Sequence, residues 1–580
     1  MKAGPKARRT QLVSTYGIGG LFPSENTSYM IVSHSEWKED GRSAVSEPRL
    51  SRSLQVSRLF QPPADGFKDV PVIRFPNFQV CPKCRKVGRL HEFGSAWNEA
   101  LCRKCPGTPD LTPSRLVIAC PKGHIDEFPY YLWLHQGTGQ NEGAVHQMTL
   151  KANGRTSSLA DLVLECSCGV DPIGLDGTFE AGAFLGKMNC RGTRPWLGPD
   201  HSEMCDEVPR TLQRGASNVW FPAVRSAISI PPYSEAVAKF VDREWDLLDD
   251  PASVGDMKML GIALKRGRGR FTLEELVAEV TRRHADSDGG TELDEEALRR
   301  DEYKALLAGR EEDADGAVSD FVCLPVTVPA EVSGWLGDLR KVTRLREVRA
   351  LYGFSRLAAV SGGPGTENLC ALAAEKVNWL PAIEVIGEGL FFTVDRDSLS
   401  DWAARPFAAG RRRLLQEASV RRAAAYRQQV VQEVDIAKVA VHTLAHILID
   451  QLSLDAGYPA ASLRERLFVD HTMAGVLIYT ASSDSAGSLG GVAAQAAPDR
   501  FLHAITEGLR RLSWCSSDPV CVESRASGAD GLNLAACHAC VLVPETSCES
   551  NNTYLDRALL FGTHEKDGDD GLLRDLLAVL

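Results

Sequence analysis

The stretch "CPKCRKVGRLHEFGSAWNEALCRKC", Cys81 to Cys105, decides how this chain is read. It places two Cys-x-x-Cys knuckles, Cys81/Cys84 and Cys102/Cys105, seventeen residues apart. Each knuckle can bring two thiolates to one tetrahedral ion, and a spacer of this length suits the strands of a zinc ribbon. A thioredoxin-like redox pair would need one knuckle inside a βαβ pattern, which the flanking residues lack. Cys81, Cys84, Cys102 and Cys105 are therefore expected to hold a structural zinc ion.

The same logic extends to the other cysteines, sixteen in all. In a reducing compartment they stay unbridged, and several sit in short pairs, a spacing that metal ligands need and buried structural thiols do not. "CSC" (Cys166, Cys168) with Cys190 and Cys205 forms the expected second set, and Cys120 and His124 of "CPKGH" are alternative donors to it. Near the C-terminus "CHACVLVPETSC" supplies Cys537, Cys540 and Cys548; Cys521 is favoured over Cys515 as the fourth ligand. Two to three structural zinc ions are expected. An ion saturated by four sulfurs has no open position for water, so zinc-assisted hydrolysis is not expected there.

The 580 residues are too many for one ordinary core. With 44% apolar and 24% charged residues the composition is that of a soluble globular protein. No apolar run is long enough to span a membrane, and the basic N-terminus has no apolar segment to mark it for secretion. A cytoplasmic location and no membrane partner are expected. The net charge of −11 argues against naked DNA as the main partner. Local basic surface remains in "KRGRGR", where Lys265, Arg266, Arg268 and Arg270 are candidate nucleic-acid contacts, and in "RRR" at Arg411 to Arg413.

Along the chain, the patterns divide into an N-terminal arm and β-rich segment (1–75), a cysteine-rich zinc-binding domain (76–210), a mixed middle region (211–410) with an acidic linker at 284–320, and a C-terminal α/β domain (411–580). The expected fold class is mixed α/β and multidomain: a loop-rich, zinc-ribbon-containing N-terminal region, and a C-terminal α/β domain closed by a four-cysteine zinc knuckle. "GIGG" (Gly17 to Gly20) reads as a tight turn, lacking the Gly-Lys-Ser/Thr ending of a phosphate loop. "HTLAH" puts His442 and His446 on one helical face, but Thr443 stands where a zincin helix carries its Glu. A packed pair is the plainer reading of these histidines. "DSAGSLGGV" (Asp484 to Val492) follows a buried-strand pattern but lacks a phosphate-loop lysine. No catalytic residue is nominated.

"RRTQLVSTYGIGGLF", "CPKGHIDEFPYYLWLH", "LQRGASNVWFPAVRSAISIP", "VHTLAHILIDQL", "GVLIYTASSDSAGSLGG" and "AACHACVLVPETSCESNNTYLDR" together resemble the DrmB family of the DISARM anti-phage defence system. The last block is also similar to the cysteine-bearing C-terminal domain of MrfA-type DNA repair helicases. The resemblance implies a partner, the DISARM helicase DrmA, and a complex that engages phage DNA. It supplies no catalytic residues. The expected function is a non-catalytic zinc-binding subunit that associates with the helicase, with DNA met mainly through the complex. The alternative is a zinc-containing nuclease or other DNA-processing enzyme using the His442/His446 face.

Overall fold

The computed structural model describes residues 6–38, 42–64, 69–136, 146–152, 161–248, 250, 256–288, 293–312, 319–360, 366–426, 428, 431–480, 491–563, 571–574 and 576. Helix and sheet are mixed along the whole chain. The chain divides into two compact units. One comprises Met1–Val45, Val56–Arg225 and Arg349–Ile383, and the other Ser46–Gln55, Ser226–Val348 and Glu384–Leu580. They are called here the ribbon unit and the knuckle unit.

In the ribbon unit, strands Phe78–Val80 and Lys86–Arg89 form the ribbon hairpin, with Val80 opposite Val87. The sheet continues antiparallel through Met148–Ala152, Leu162–Cys166 and Ile173–Gly174, with Thr112–Pro113 on the other edge. Val87, Phe128, Tyr130, Trp133, Leu164 and Phe184 form its main apolar cluster. A second sheet orders Ile125–Glu127, Leu116–Ala119 and Arg210–Gln213, so "CPKGH" becomes a hairpin turn.

"GIGG" is a turn. Gly19 has φ +76°, and a Cβ there would lie 2.4 Å from the Phe354 ring. The Gly19 carbonyl accepts from the buried Arg356, which also donates to the carbonyls of Gly123 and Val219. Burial lowers the Arg356 pKa to about 10. One guanidinium thus fixes three loops.

The knuckle unit is built on helix Ile436–Ala456, capped by Asp435, whose carboxylate accepts from the amides of Ala437 and Lys438. Residues around most of its circumference are buried, as expected of a helix apolar on nearly every side. It lies on Leu463–Val469 and on Ala474–Thr480, a strand buried at every position. That strand is central: it pairs with Leu463–Val469 on one side and with Gly389–Thr393 on the other. Helix Pro498–Leu512 adds Phe501, Ile505 and Leu509 to the same core.

Part of the acidic stretch 284–320 is helical. It carries helix Glu295–Ala308, on which Leu298, Glu302 and Leu306 are buried. Glu302 accepts two bonds from the equally buried Arg466, at 2.7 and 2.8 Å. The buried charge on that helix has its partner more than 160 residues away in sequence. Within "DSAGSLGGV", residues 484–490, including Asp484, lie outside the described residues. No helix among the described residues is long and apolar enough to cross a membrane.

Candidate metal centres

Among the described residues, five groups of Cys, His and Glu side chains each bring four ligand atoms within 4.8 Å of one another. The first is the ribbon set, Cys81, Cys84, Cys102 and Cys105. Cys81 Sγ lies 3.9 Å from Cys105 Sγ, and Cys84 Sγ lies 4.0 Å from Cys102 Sγ. A tetrahedral zinc with ~2.3 Å Zn–S bonds sets its sulfurs ~3.8 Å apart, so this donor set fits the ion. The Cys84 amide points back at Cys81 Sγ at 3.4 Å, the arrangement of a knuckle that supports a thiolate.

The expected quartet Cys166, Cys168, Cys190 and Cys205 is not brought together. Cys190 and Cys205 join Cys120 and His124 instead. His124 turns Nδ1 toward Cys120 Sγ at 3.3 Å, while Nε2 lies 2.8 Å from Glu203, which fixes the tautomer and leaves Nδ1 as the donor to an ion. The turn depends on Gly123, with φ +81°, where a Cβ would collide with Cys370 Sγ. Cys190 is pulled down to about 4, chiefly by its hydrogen bond from Cys120, with His124 adding to it. Cys205 is raised, first by burial and then by the charge on Cys190.

Cys166 and Cys168 meet His135 and His146. His135 closes helix Tyr130–His135, and its Nδ1–H donates to the Tyr131 carbonyl, so Nε2 faces Cys168 Sγ at 3.4 Å. His146 Nδ1 lies 3.4 Å from Cys166 Sγ. The cause is strand register: Met148 pairs with Cys166, which places His146 across from Cys168. The Cys168 thiol is lowered to about 6 by the Val170 amide and by His135. Neither histidine was nominated from sequence. The usable signal was a histidine just before a strand that pairs with the one ending in "CSC".

At the C-terminus the knuckle is Cys515, Cys521, Cys537 and Cys540, with sulfur separations of 3.5 Å (Cys515–Cys537), 3.7 Å (Cys521–Cys540) and 3.6 Å (Cys537–Cys540). Cys521 is in the set as expected, but the fourth member is Cys515, not Cys548. Asp518 is the reason: its carboxylate accepts from the Cys515 amide at 2.9 Å and from the Cys521-adjacent Val522 amide at 3.2 Å, folding both cysteines inward. Asp518 is itself paired with the buried Arg557. Cys548 is instead drawn to His442, His446 and Glu465, all four buried.

Two family profiles match the chain: a domain of unknown function, DUF8724, over residues 8–221, and the MrfA Zn-binding domain over residues 444–541. The second contains all four knuckle cysteines and stops before Cys548. The DISARM protein DrmB of Bacillus paralicheniformis is 32% identical over 560 residues, covering 93% of this chain and 97% of that protein. The chain belongs to the DrmB family. Its C-terminal region carries an MrfA-type zinc-binding domain, and the cysteine geometry of this DrmB-family chain points to zinc.

The basic candidates sit elsewhere. Lys265, Arg266, Arg268 and Arg270 are exposed at and beyond the end of helix Met257–Arg266, with Arg266 paired to Glu244 at 2.6 Å. Of "RRR", Arg411 is engaged by both carboxylate oxygens of Asp556 at 2.6 Å, while Arg412 and Arg413 line an open groove with Gln416 and Glu433.

Proposed function

We propose that this chain is a non-catalytic, zinc-stapled subunit of a cytoplasmic DISARM-type anti-phage complex. It associates with the system's helicase, DrmA, and supports that helicase's engagement of phage DNA. The observation that carries this reading is the four-sulfur knuckle inside an MrfA-type zinc-binding domain. A tetrahedral ion held by four thiolates is closed to water and substrate, so its role is to hold shape. By resemblance, helicases of the MrfA type carry such a domain in cis, and here it is supplied in trans. The ribbon set and the two Cys/His sets of the ribbon unit act as further zinc staples. An acidic chain suits a basic protein partner better than bare DNA, and the exposed Lys265, Arg266, Arg268 and Arg270 give a secondary contact to nucleic acid.

The test is co-purification. The tagged chain is expressed with its genomic neighbours, and stoichiometric partners are identified. A helicase that elutes with it, and whose DNA-stimulated ATPase changes in its presence, is the expected result. A chain that elutes alone and leaves the helicase's ATPase unchanged overturns the reading.

A further inference from the structure

The side chains of His442, His446, Glu465 and Cys548 converge in the core of the knuckle unit, with no more than 4% exposure for any of the four residues. Their hydrogen-bond partners fix what each presents. His442 Nδ1 lies 3.3 Å from the Tyr554 carbonyl and His446 Nδ1 lies 3.0 Å from the Val541 carbonyl. A carbonyl only accepts, so both Nδ1 atoms carry the proton and both Nε2 atoms present lone pairs. Cys548 Sγ accepts from the amides of Ser550 and Asn552, each at 3.3 Å. Glu465 Oε1 accepts from the Glu549 amide at 3.1 Å.

Three acceptors, two imidazole nitrogens and a carboxylate, therefore face one thiol, which can donate to only one of them. His442 Nε2 lies 3.2 Å from Cys548 Sγ and 3.1 Å from Glu465 Oε1, and His446 Nε2 lies 3.5 Å from the same oxygen. His446 Nε2 and Glu465 Oε2 have no hydrogen-bond partner, although both are buried. Such a meeting of lone pairs in a dry core is unfavourable unless something positive sits between them. The Cys548 S–H can serve His442 Nε2, but it leaves His446 Nε2 and Glu465 Oε2 without a partner, and protonating both rings instead would set two imidazolium cations with ring centroids 4.5 Å apart. One divalent ion serves without that repulsion. Around a tetrahedral zinc, N and O donors stand ~3.3 Å apart and N and S donors ~3.5 Å, close to the separations found.

We propose that His442 Nε2, His446 Nε2, a Glu465 carboxylate oxygen and Cys548 Sγ bind a divalent transition-metal ion of the zinc class. On binding, the Cys548 thiol gives its proton to solvent, and the thiolate and carboxylate together cancel the ion's two positive charges. The buried site is then neutral. With four protein ligands and no opening to solvent, the ion is structural. It joins helix Ile436–Ala456, strand Leu463–Val469 and the segment after the knuckle, independently of the four-cysteine site. It also removes the free His442/His446 face that a nuclease reading requires.

The decisive experiment uses wild-type protein. Crystals or frozen particles of the full chain, purified in the presence of zinc, are measured for metal position by anomalous diffraction at the zinc edge or by density at the centroid of the four ligand atoms. A peak there, in addition to those at the cysteine knuckles, is expected. Peaks at the knuckles with none among these four residues overturn the inference and leave the proposed function standing. Native mass spectrometry of Cys548→Ala and His446→Ala gives the second readout: each is expected to hold one metal equivalent fewer than wild type. A folded variant with the full wild-type complement overturns the proposal. A variant that fails to fold leaves the wild-type metal map to decide.

Discussion

The ribbon and the C-terminal knuckle use similar four-cysteine chemistry in opposite surroundings. The ribbon's apolar cluster has only Cys81, Phe93, Cys102 and Leu111 fully buried, so half of it is ligand. The knuckle's neighbours Leu534, Ala536, Val541, Val543 and Leu555 belong instead to the large core built on helix Ile436–Ala456. In the ribbon a bound metal would stand in for a hydrophobic core, because a segment this small cannot bury enough apolar surface to offset its ordering entropy. In the knuckle a bound metal would complete a surface that packing already supports.

The comparison breaks most easily at Cys102. Structural zinc contributes about 10–16 kcal/mol of apparent binding energy in small domains, so Cys102→Ser should unfold the ribbon outright. Hydrogen exchange should show residues 78–111 losing all slow-exchanging amides, and near-native protection there would refute the metal-for-core view. Cys540→Ser should have a narrower effect: residues 515–541 lose protection while helix Ile436–Ala456 and strand Ala474–Thr480 keep theirs. Concerted loss of both would mean that the knuckle metal and the core are one cooperative unit.

Smaller changes sharpen the contrast. Glu302→Ala leaves the buried Arg466 only its longer contact with Glu347, at 3.6 Å, and its bonds to Ser226, and should cost about 3 kcal/mol, read as a lowered unfolding transition of the knuckle unit. An unshifted transition would show that the acidic helix is dispensable. Asp518→Asn removes a carboxylate that orients Cys515 and pairs with Arg557, and supporting groups of this kind are worth roughly 10–100-fold in metal affinity. Competition with a chelator should show that loss at the knuckle alone. Burial raises the Asp518 carboxyl, but Arg557 and the Cys515 and Val522 amides outweigh it and hold the pKa below the ordinary value. Its contribution is therefore complete above the ordinary carboxylate range and fades as pH falls through the lower folded value.

The smallest effect belongs to Arg266, Arg268 and Arg270, all exposed. Replacing them with Gln should move stability by no more than about 0.5 kcal/mol. The salt dependence of complex–DNA binding should become shallower, by a slope of about 1 for each phosphate that the loop no longer neutralises. An unchanged slope would end the DNA role of this loop.

The sequence by itself determined the ribbon set, because a Cys-x-x-Cys pair delivers two ligands through local geometry, whatever the rest of the chain does. It also determined the mixed fold, the family, the central strand Ala474–Thr480 and the face shared by His442 and His446, which follows from helical periodicity. Tertiary structure decided the partners of isolated ligands. Cys166 and Cys168 find His135 and His146 through strand register rather than Cys190 and Cys205 through sequence order. Cys548 stands only eight residues after Cys540, yet it turns to a helix face one hundred residues upstream and leaves its place to Cys515. Glu465 sits in an ordinary strand pattern and acquires its meaning only when that strand is laid under the two histidines. Ligands paired within one turn of chain are legible because their separation is fixed by bond geometry; ligands paired across elements are fixed by packing, which no local spacing records.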